Sequence, residues 1–307
     1  MKKVKVTSPA TIANITCGFD VLGLALNEPV DEMVIRKSNN PGVHITNILG
    51  TTLPKTNSKN IVGVVLEKIL QNLPNNKYGI EVEIYKNIRP GSGIGSSAAS
   101  AAGAAVGANY LFDRYFKTSD IIQFAIEGEK LAAGVGHADN VAPAILGGIT
   151  LIRSYNPLDI ISLPYPKKLW ATVVKPTITL KTSESRKVLS PIIFMEDAIK
   201  QWGNVGALVS SFYREDYELI SKSLEDFIVE PRRSIFIPVL KKLKIECKKV
   251  GALGGGISGS GPAVYMLSEG KEIADRVAGC MRYIYNKLNL SYRIYISTIN
   301  YDGVKVY

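Results

Sequence analysis

Apolar and polar positions follow two different periods along the chain, one typical of strands and one typical of helices. Residues 80–87 alternate apolar with polar side chains, which predicts a strand with one buried face. Residues 60–72 and 119–133 carry apolar side chains three and four positions apart, which predicts amphipathic helices. No residue from Gly91 to Phe112 is charged, but the run opens on three glycines and continues with Ser and Ala. That composition favours a buried helix behind a loop over a membrane span.

Strands and helices are expected to alternate through both halves of the chain, and this mixture predicts an α+β fold. Prolines cluster in residues 155–166, which places a domain boundary there and divides the chain into domains at 1–155 and 156–307. We expect strands at 3–6, 31–36, 147–153, 170–175, 263–267 and 292–297, and further helices at 96–112, 191–215, 216–227, 237–249 and 271–286.

Length and charge narrow the class of protein. The chain has 307 residues, 46% of them hydrophobic, which is enough for a full core. Its formal net charge is +10, and the densest basic run, residues 241–249, alternates with apolar positions at helical spacing. A solvated helix face explains that run better than a nucleic-acid-binding patch. The charged N-terminal residues precede no apolar run, so no signal peptide is expected.

Cysteine and histidine are scarce, which limits metal and redox chemistry. Three widely spaced cysteines favour a reducing compartment, so we expect a cytoplasmic protein. Two histidines, with neither a CxxC pair nor an HExxH motif, exclude most zinc sites. A catalytic metal would therefore take oxygen ligands, which points to Mg²⁺.

The stretch from Pro90 to Ala98 predicts a phosphate-binding loop. It reads Pro-Gly-Ser-Gly-Ile-Gly-Ser-Ser-Ala, follows a predicted strand and opens a predicted helix. Glycines let backbone N–H groups approach an anion, and the helix N-terminus adds positive potential. No Gly-Lys-Ser/Thr follows, as a Walker A loop requires, and Ser96 stands where the Rossmann pattern needs its last glycine. A tight turn with glycines for packing is the alternative, and the serine pair Ser96-Ser97 favours phosphate.

A second glycine-rich stretch, residues 254–262, is predicted as another loop beside a strand. Two such loops in two halves suggest one cleft lined from both domains.

Polar residues in unusual places mark further candidates. Asn14 and Asp20 stand among apolar and turn-forming residues, where they either bind a ligand or cap an element. His137, Asp139 and Asn140 are expected in a loop flanked by glycines, where a functional and a structural role are equally supported.

Two acidic and two basic positions leave alternatives open. Glu127 and Glu129 are two residues apart on a predicted helix, so only one of them can face the phosphates. Arg186 follows Thr182 by one helical turn, and Arg233 ends the run Glu-Pro-Arg-Arg. Arginine binds carboxylates through two parallel hydrogen bonds, although a surface ion pair is the simpler explanation for either arginine alone.

Together these motifs resemble the homoserine kinases of the GHMP kinase superfamily. Residues 90–98 and 256–262 are similar to superfamily motifs, and the resemblance spans nearly the whole chain. More specific to homoserine kinases are residues 9–23, from Pro-Ala-Thr-Ile-Ala-Asn to Gly-Phe-Asp-Val-Leu-Gly, and residues 137–148. The resemblance implies an α+β, two-domain GHMP kinase fold with the active site in the cleft between the domains.

The resemblance also implies a reaction and a set of site residues. ATP would phosphorylate L-homoserine to O-phospho-L-homoserine, a step toward threonine, with Mg²⁺ held by Ser97 and Glu129. Asn140 would lie near the reacting hydroxyl, with Glu129 and, as a contributor only, Asp139 beside it. The substrate would contact Asn14, Asp20, His137, Asn140, Thr182, Arg186, Arg233 and Gly259, with Asp20 on its ammonium and the arginines on its carboxylate. ATP would contact Asn60, Lys86, Pro90, Gly91, Ser92, Gly93, Ile94, Gly95, Ser96, Ser97, Ala98, Ala99 and Ser100.

Two alternatives remain at this point. Mevalonate and shikimate kinases share the superfamily, but their substrates lack an ammonium, so Asp20 favours homoserine. A nucleic-acid-binding protein would suit the positive charge, but the tyrosines do not interleave with basic residues as such surfaces require. We therefore expect neither a nucleic-acid nor a membrane partner, and by family analogy a homodimer.

Overall fold

A seven-stranded sheet forms the larger half of the molecule. The computed structural model describes residues 2–74, 77–134, 136–180 and 182–307. The strands run in the order β11–β1–β2–β4–β3, and β5 pairs with β2 while β6 extends β5. In β4 the apolar side chains alternate inward as the sequence predicted. The bounds are β1 (Lys3–Ala13), β2 (Leu22–Ser38), β3 (Val43–Leu49), β4 (Gly79–Tyr85), β5 (Ile149–Tyr155), β6 (Leu158–Leu163) and β11 (Lys305–Val306).

Four helices cover this sheet, and α2 lies at their centre. Because α2 is built from Ala, Gly and Ser, neighbours approach it closely from all sides and it is buried over most of its length. A Cβ on Gly107 would lie 2.6 Å from Ile35, so the helix rests directly on β2. None of the helices in the described ranges is long and apolar enough to cross a membrane. The helices are α1 (Ile61–Asn72), α2 (Ser96–Leu111), α3 (Thr118–Ala133) and α4 (Ala138–Leu146).

A four-stranded antiparallel sheet, β10–β7–β9–β8, organises the second half. Two further clusters of buried apolar side chains pack on this sheet. One of them also includes residues of β1, β2 and β5, and the other includes residues of the helices at 240–249 and 271–286. The predicted mixture of helices and antiparallel strands in both halves is confirmed. The strands are β7 (Leu169–Pro176), β8 (Gly254–Ile257), β9 (Val264–Glu269) and β10 (Tyr292–Thr298). The helices are α5 (Thr182–Lys187), α6 (Met195–Arg214), α7 (Tyr217–Ser223), α8 (Glu230–Arg233), α9 (Leu240–Lys249) and α10 (Lys271–Asn286).

Several local expectations differ from the structure. Residues 138–140, expected in a loop, form the first turn of α4, and 254–257 form β8 instead of a loop. Glycine-rich neighbours suggested loops in both cases, but α4 packs an apolar face on the sheet and β8 gains strand pairing with β9. The division at residue 155 remains a prediction, and β5 and β6 form an antiparallel pair across that point.

Candidate active site

A cavity of about 400 Å³ lies where the phosphate loop, the 14–20 turn and α5 meet. Its walls bring together both glycine-rich stretches, as the sequence suggested. Nineteen of the predicted site residues line it. Fifteen of them are Asn14, Asp20, Lys86, Pro90, Gly91, Ser92, Gly93, Gly95, Ser96, Ser97, Ser100, Glu129, His137, Asp139 and Asn140. Thr182, Arg186, Arg233 and Gly259 complete the opposite wall.

The phosphate loop is held in a conformation that needs glycine. Gly91, Gly93 and Gly95 have φ angles of 66°, 81° and 68°, and Gly95 directly precedes α2. A Cβ on Gly95 would lie 1.9 Å from the Thr11 hydroxyl. The hydroxyl of Ser258 donates to the carbonyl of Gly93 over 2.7 Å, so the second glycine-rich stretch braces the first.

A buried ion pair between Lys86 and Asp31 holds the first turns of α2 in place. The Lys86 ammonium contacts the carboxylate of Asp31 and donates to the carbonyl of Ser96 and the hydroxyl of Ser100, both at 2.9 Å. The other Asp31 oxygen accepts from the backbone N–H groups of residues 87 and 88, each at 2.8 Å. These contacts use all three donors of the ammonium, which leaves no Lys86 N–H for another ligand.

Four residues predicted to contact ATP do not line the cavity. Asn60 is buried as the N-cap of α1, accepting from the Val62 N–H at 3.0 Å and donating to the Pro54 carbonyl at 2.7 Å. The side chain of Ile94 is buried, and its carbonyl accepts from Thr11. Ala98 and Ala99 are fully buried in the core. Their roles in shaping the site are structural, and direct contact with ATP stays a prediction.

Glu129 and Glu127 face opposite ways, as their spacing requires. The Ser97 hydroxyl donates to Oε1 of Glu129 over 3.0 Å. Within the described part of the chain, Oε2 of Glu129 is buried without a hydrogen bond. Burial raises the pKa of Glu129 to about 7, against the smaller lowering by the Ser97 hydrogen bond. Glu127 instead pairs with Lys130 in solvent. The residue spacing left open which of the two glutamates faces the phosphate loop. The structure places Glu129 there, as the resemblance implied.

Asp139 and Asn140 stand in the first turn of α4, beside the loop. The Thr11 hydroxyl donates to Oδ1 of Asn140 over 2.6 Å, which ties α4 to β1. Asp139 is buried, and burial with the nearby charges of Asp20 and Glu129 raises its pKa to about 8. A Cβ on Gly23 would lie 1.7 Å from the Asp139 carbonyl oxygen, so only glycine lets α4 approach β2 this closely. His137, at the N-cap position of α4, is 8% exposed.

The far end of the cavity carries a carboxylate and two guanidinium groups. Arg186 donates to both carboxylate oxygens of Asp20 at 2.6 Å and 2.7 Å. Arg233 is buried and donates to the carbonyls of Ser185 and Gly259 at 3.2 Å and 2.9 Å. Burial, together with Arg186, lowers the pKa of Arg233 to about 10. This end of the site is suited to a ligand that carries both signs of charge.

Asn14 and Thr182 connect this end of the cavity to the second glycine-rich stretch, residues 254–262. The side chain of Asn14 donates to the Gly259 carbonyl at 3.0 Å and accepts from the Asp20 N–H at 3.1 Å. Asn14 and Asp20 adopt positive φ angles of 73° and 61°, which asparagine and aspartate tolerate better than most residues. The hydroxyl of Thr182 lies 3.4 Å from that of Ser260. Asn14 therefore caps the backbone of the 14–20 turn, and both Asn14 and Asp20 line the cavity.

Comparison with known proteins identifies the family to which this chain belongs. The GHMP kinases N terminal domain matches residues 60–148, and the GHMP kinases C terminal domain matches residues 208–287. The chain belongs to the GHMP kinase family. These matches and the structural neighbours confirm the α+β GHMP kinase fold that the resemblance implied.

Relatives of this GHMP kinase match it over all or nearly all of its length. The homoserine kinase of Chlorobium phaeobacteroides (strain BS1) is 44% identical over 100% of both chains, and that of Methanococcus vannielii is 36% identical over 93% of this chain and 94% of its own. The crystal structure of homoserine kinase from Cytophaga hutchinsonii superposes with a TM-score of 0.96 at 43% identity, covering 100% of this chain and 98% of that one. The L. major mevalonate kinase, at 15% identity, shares the fold with a TM-score of 0.74 over 96% of both chains.

Three residues of this GHMP kinase site were missed by sequence reasoning. The ring of Phe19 lies 5.2 Å and 5.1 Å from the guanidinium carbons of Arg186 and Arg233, so it supports both. Tyr155 donates its hydroxyl to the Asp20 carbonyl at 2.8 Å. Thr11 and Phe19 both lie in residues 9–23, which resemble homoserine kinases. That resemblance was the signal in the sequence that could have marked them as site residues. Nothing local marked Tyr155, because its contact spans 135 residues.

The donor set around Ser97 fits the magnesium ion that the family implies. A buried carboxylate oxygen without a hydrogen bond, next to a hydroxyl, is a hard oxygen site of the kind Mg²⁺ prefers. Within the described residues no group of three or more His, Cys, Asp and Glu side chains could hold a metal by itself. The protein would therefore supply two ligands, and phosphate oxygens and water the others.

Proposed function

We propose that this GHMP kinase transfers the γ-phosphoryl group of ATP to the hydroxyl of L-homoserine, giving O-phospho-L-homoserine in threonine biosynthesis. Relatives named as homoserine kinases are 41–44% identical over its whole length. The observation that carries the proposal is the pairing of Asp20 with Arg186 beside Arg233 at one end of the cavity. Homoserine carries an ammonium and a carboxylate, and this end presents a partner for each.

The phosphates of ATP would lie over residues 90–98. Backbone N–H groups of the three-glycine loop and the N-terminus of α2 favour negative charge there. Mg²⁺ would be held by Ser97 and Glu129, and when bound it would neutralise charge on the transferred phosphoryl group. Binding at Glu129 requires the ionised carboxylate, whereas burial raises the pKa of Glu129 and favours its neutral form.

The homoserine ammonium would displace Arg186 from Asp20, and the freed guanidinium would bind the carboxylate together with Arg233. The exchange keeps each charge paired, so little desolvation energy is lost. The ring of Phe19 lies beside both guanidinium groups and would help to hold them in place for the substrate carboxylate. Asn14, His137, Thr182 and Gly259 would complete the pocket around the substrate backbone.

The substrate hydroxyl would lie near Asn140, in line with the γ-phosphate. Thr11 fixes the Asn140 oxygen, which leaves the Asn140 amide N–H groups to be directed at the phosphate or the hydroxyl. Phosphoryl transfer depends mainly on positioning and charge stabilisation, so a strong base is unnecessary. Burial raises the pKa of Asp139 to about 8, which favours its neutral form near neutral pH, and Asp139 would contribute to the shape of the site.

The protein would act in the cytoplasm as a homodimer. Cys17, Cys247 and Cys280 are free thiols, in keeping with a reducing compartment.

An ADP-release assay with L-homoserine, mevalonate and shikimate side by side tests the proposed reaction. We expect release that depends on both L-homoserine and Mg²⁺. Asp20→Asn should raise the KM for homoserine by roughly tenfold or more, since an amide cannot balance the ammonium. A preference of the wild-type enzyme for mevalonate or shikimate would overturn the assignment.

A further inference from the structure

The turn that carries Asn14 and Asp20 has an unusual backbone. Asn14, Ile15 and Thr16 follow one another with φ angles of 73°, 38° and 61°, all in the left-handed region. Asparagine tolerates that region, but branching at Cβ disfavours it for isoleucine and threonine. Such strain persists only where the surrounding structure holds it, and it clusters at functional sites. The contacts that hold this turn therefore bear on the cavity beside it.

Hydrogen bonds within the turn close it only locally. The N–H of Cys17 donates to the Ile15 carbonyl at 2.9 Å, and the N–H of Gly18 donates to the Asn14 carbonyl at 2.8 Å. The side chain of Ile15 is fully buried in the apolar cluster that includes residues of β1 and β9. Apolar burial has no preferred direction, so it does not by itself select a left-handed backbone. The turn needs directional contacts from outside as well.

Two side chains of the second half of the chain supply those directional contacts. The hydroxyl of Tyr265, on β9, lies 2.7 Å from that of Thr16, and the two share a hydrogen bond across 249 positions of the chain. Tyr265 is fully buried and Thr16 is 3% exposed, so water does not compete for this bond. Gln201, on α6, donates to the Cys17 carbonyl at 2.6 Å and accepts from the Phe227 N–H at 2.9 Å. Both anchors therefore act directly at the strained backbone.

Asn14 connects the conformation of the turn to the substrate end of the cavity. Its side chain donates to the Gly259 carbonyl and accepts from the Asp20 N–H. The same Gly259 carbonyl accepts from Arg233 at 2.9 Å. Among the described residues that line the cavity, neither anchor is present, so each acts through the turn. A rotation of the turn would move Asn14 and Asp20 together relative to Arg233.

We infer that Tyr265 is a positioning residue for the substrate: its hydrogen bond to Thr16 holds the left-handed turn so that Asn14 and Asp20 face the cavity before homoserine binds. Preorganisation of this kind favours binding because the ligand does not have to order the groups that contact it. Gln201 supports the same turn, but the Tyr265 contact can be removed by deleting a single oxygen atom. The inference rests on the proposed function for the identity of the substrate, whereas the hold on the turn can be measured without substrate.

Removal of one hydroxyl group tests the inference. Tyr265→Phe keeps the ring in the core and deletes the oxygen that meets Thr16. We expect the KM for L-homoserine to rise by about tenfold or more, because the turn relaxes, while the KM for ATP changes by less than about twofold. Tyr285→Phe is the matched control, since Tyr285 is also buried and its hydroxyl has no hydrogen bond within the described chain. It should leave both KM values unchanged.

Substitutions of Thr16 separate the hydroxyl from packing and from backbone strain. Thr16→Val keeps the shape and the branching at Cβ but lacks the hydroxyl, so it should raise the KM for homoserine as Tyr265→Phe does. Thr16→Ser keeps the hydroxyl and should stay within about twofold of the wild type. The double variant, Thr16→Val with Tyr265→Phe, should be no worse than either single variant, because both remove the same bond.

Thr172→Val controls for a loss of stability alone. It deletes a buried hydrogen bond from β7 to the Ala274 carbonyl at 3.1 Å. The free energy of unfolding should fall while the KM for homoserine stays at the wild-type value. An equal rise of that KM in Thr172→Val or in Tyr285→Phe would overturn the inference, because general destabilisation would then explain the effect of Tyr265→Phe.

Amide hydrogen exchange reads the turn without substrate. The N–H groups of Asn14, Gly18 and Leu22 are hydrogen-bonded within or beside the turn. We expect them to exchange at least about tenfold faster in Tyr265→Phe and at the wild-type rate in Tyr285→Phe. Unchanged exchange, or faster exchange with a normal KM for homoserine, would contradict the positioning role. A wild-type enzyme that prefers mevalonate or shikimate would overturn the proposed function alone, and the exchange rates would then decide whether Tyr265 holds the turn.

Discussion

One guanidinium nitrogen of Arg186 lies 2.6 Å and 2.7 Å from the two carboxylate oxygens of Asp20, a residue 166 positions away in the chain. Both side chains keep 28% of their surface exposed, so the pair is accessible from the cavity. In the absence of substrate each charge neutralises the other. Under the proposed function, a zwitterionic substrate would replace both halves of the pair at once, and the pair would then serve to recognise an amino acid.

Arg186→Lys should weaken the use of homoserine while sparing ATP. Lysine keeps the charge but loses the planar fork, so we expect a loss of about 1–3 kcal/mol in kcat/KM for homoserine. The KM for ATP should be almost unchanged, since the described contacts of Arg186 are to Asp20 and Phe19 and lie outside residues 90–98. Steady-state kinetics with each substrate varied in turn measures both. Arg276→Lys, on the exposed face of α10, is the control. Loss of ATP affinity with normal homoserine kinetics would place Arg186 at the nucleotide.

Glu129→Gln and Glu127→Gln should differ sharply, because only the first faces Ser97. Removing the charge of Glu129 should lower kcat by about 10²-fold or more, given the role of metal charge in phosphoryl transfer. Glu127→Gln should be nearly neutral. Turnover measured against Mg²⁺ concentration decides the matter. If the two variants behaved the other way round, the metal would bind on the Glu127 side of α3, and our assignment to Glu129 would be wrong.

Gly95→Ala should disrupt the loop far more than a glycine substitution elsewhere. Its Cβ would meet the Thr11 hydroxyl at 1.9 Å and displace the hydrogen bond to Asn140. We expect a rise of at least about tenfold in the KM for ATP and a lower kcat. Gly42→Ala shares a positive φ of 89° but meets nothing within 4 Å, so it should cost only about 1–2 kcal/mol of backbone strain. Equal effects of the two variants on catalysis would contradict the clash.

Asp139→Asn should stabilise the ligand-free protein increasingly from about pH 4 to pH 8. The pKa of Asp139 is raised to about 8 in the folded state, from an ordinary value of 3.8. Below pH 4 the carboxyl is protonated in both the folded and the unfolded state. Between pH 4 and 8 only the unfolded state loses the proton, so the free energy of unfolding of the wild type falls.

Urea denaturation of wild type and Asp139→Asn at pH 4, 6 and 8 measures the difference in the free energy of unfolding. We expect the difference to grow with pH by an amount on the order of a few kcal/mol. Asp275→Asn, on the exposed side of α10, serves as the control. A difference that stays constant or shrinks with rising pH would contradict a neutral Asp139.

The sequence by itself determined the elements whose cause is local. Three glycines in five residues permitted the positive φ angles that the loop adopts, and the Ala-rich run behind them predicted the buried helix that follows. The two-residue spacing of Glu127 and Glu129 fixed that they face opposite ways, because the helical period is a local property. These features depend on backbone conformation over a few residues, so a single sequence carries them.

The tertiary structure alone decided which distant side chains meet. Asp31 lies 55 residues from Lys86, and Thr11 lies 129 from Asn140, yet both pairs hold the phosphate loop in place. Which glutamate faces Ser97 also depended on how α3 packs against α2. Such pairings follow from sheet register and from the way helices fill the core, and a contact between distant positions leaves no trace in the residues beside either one.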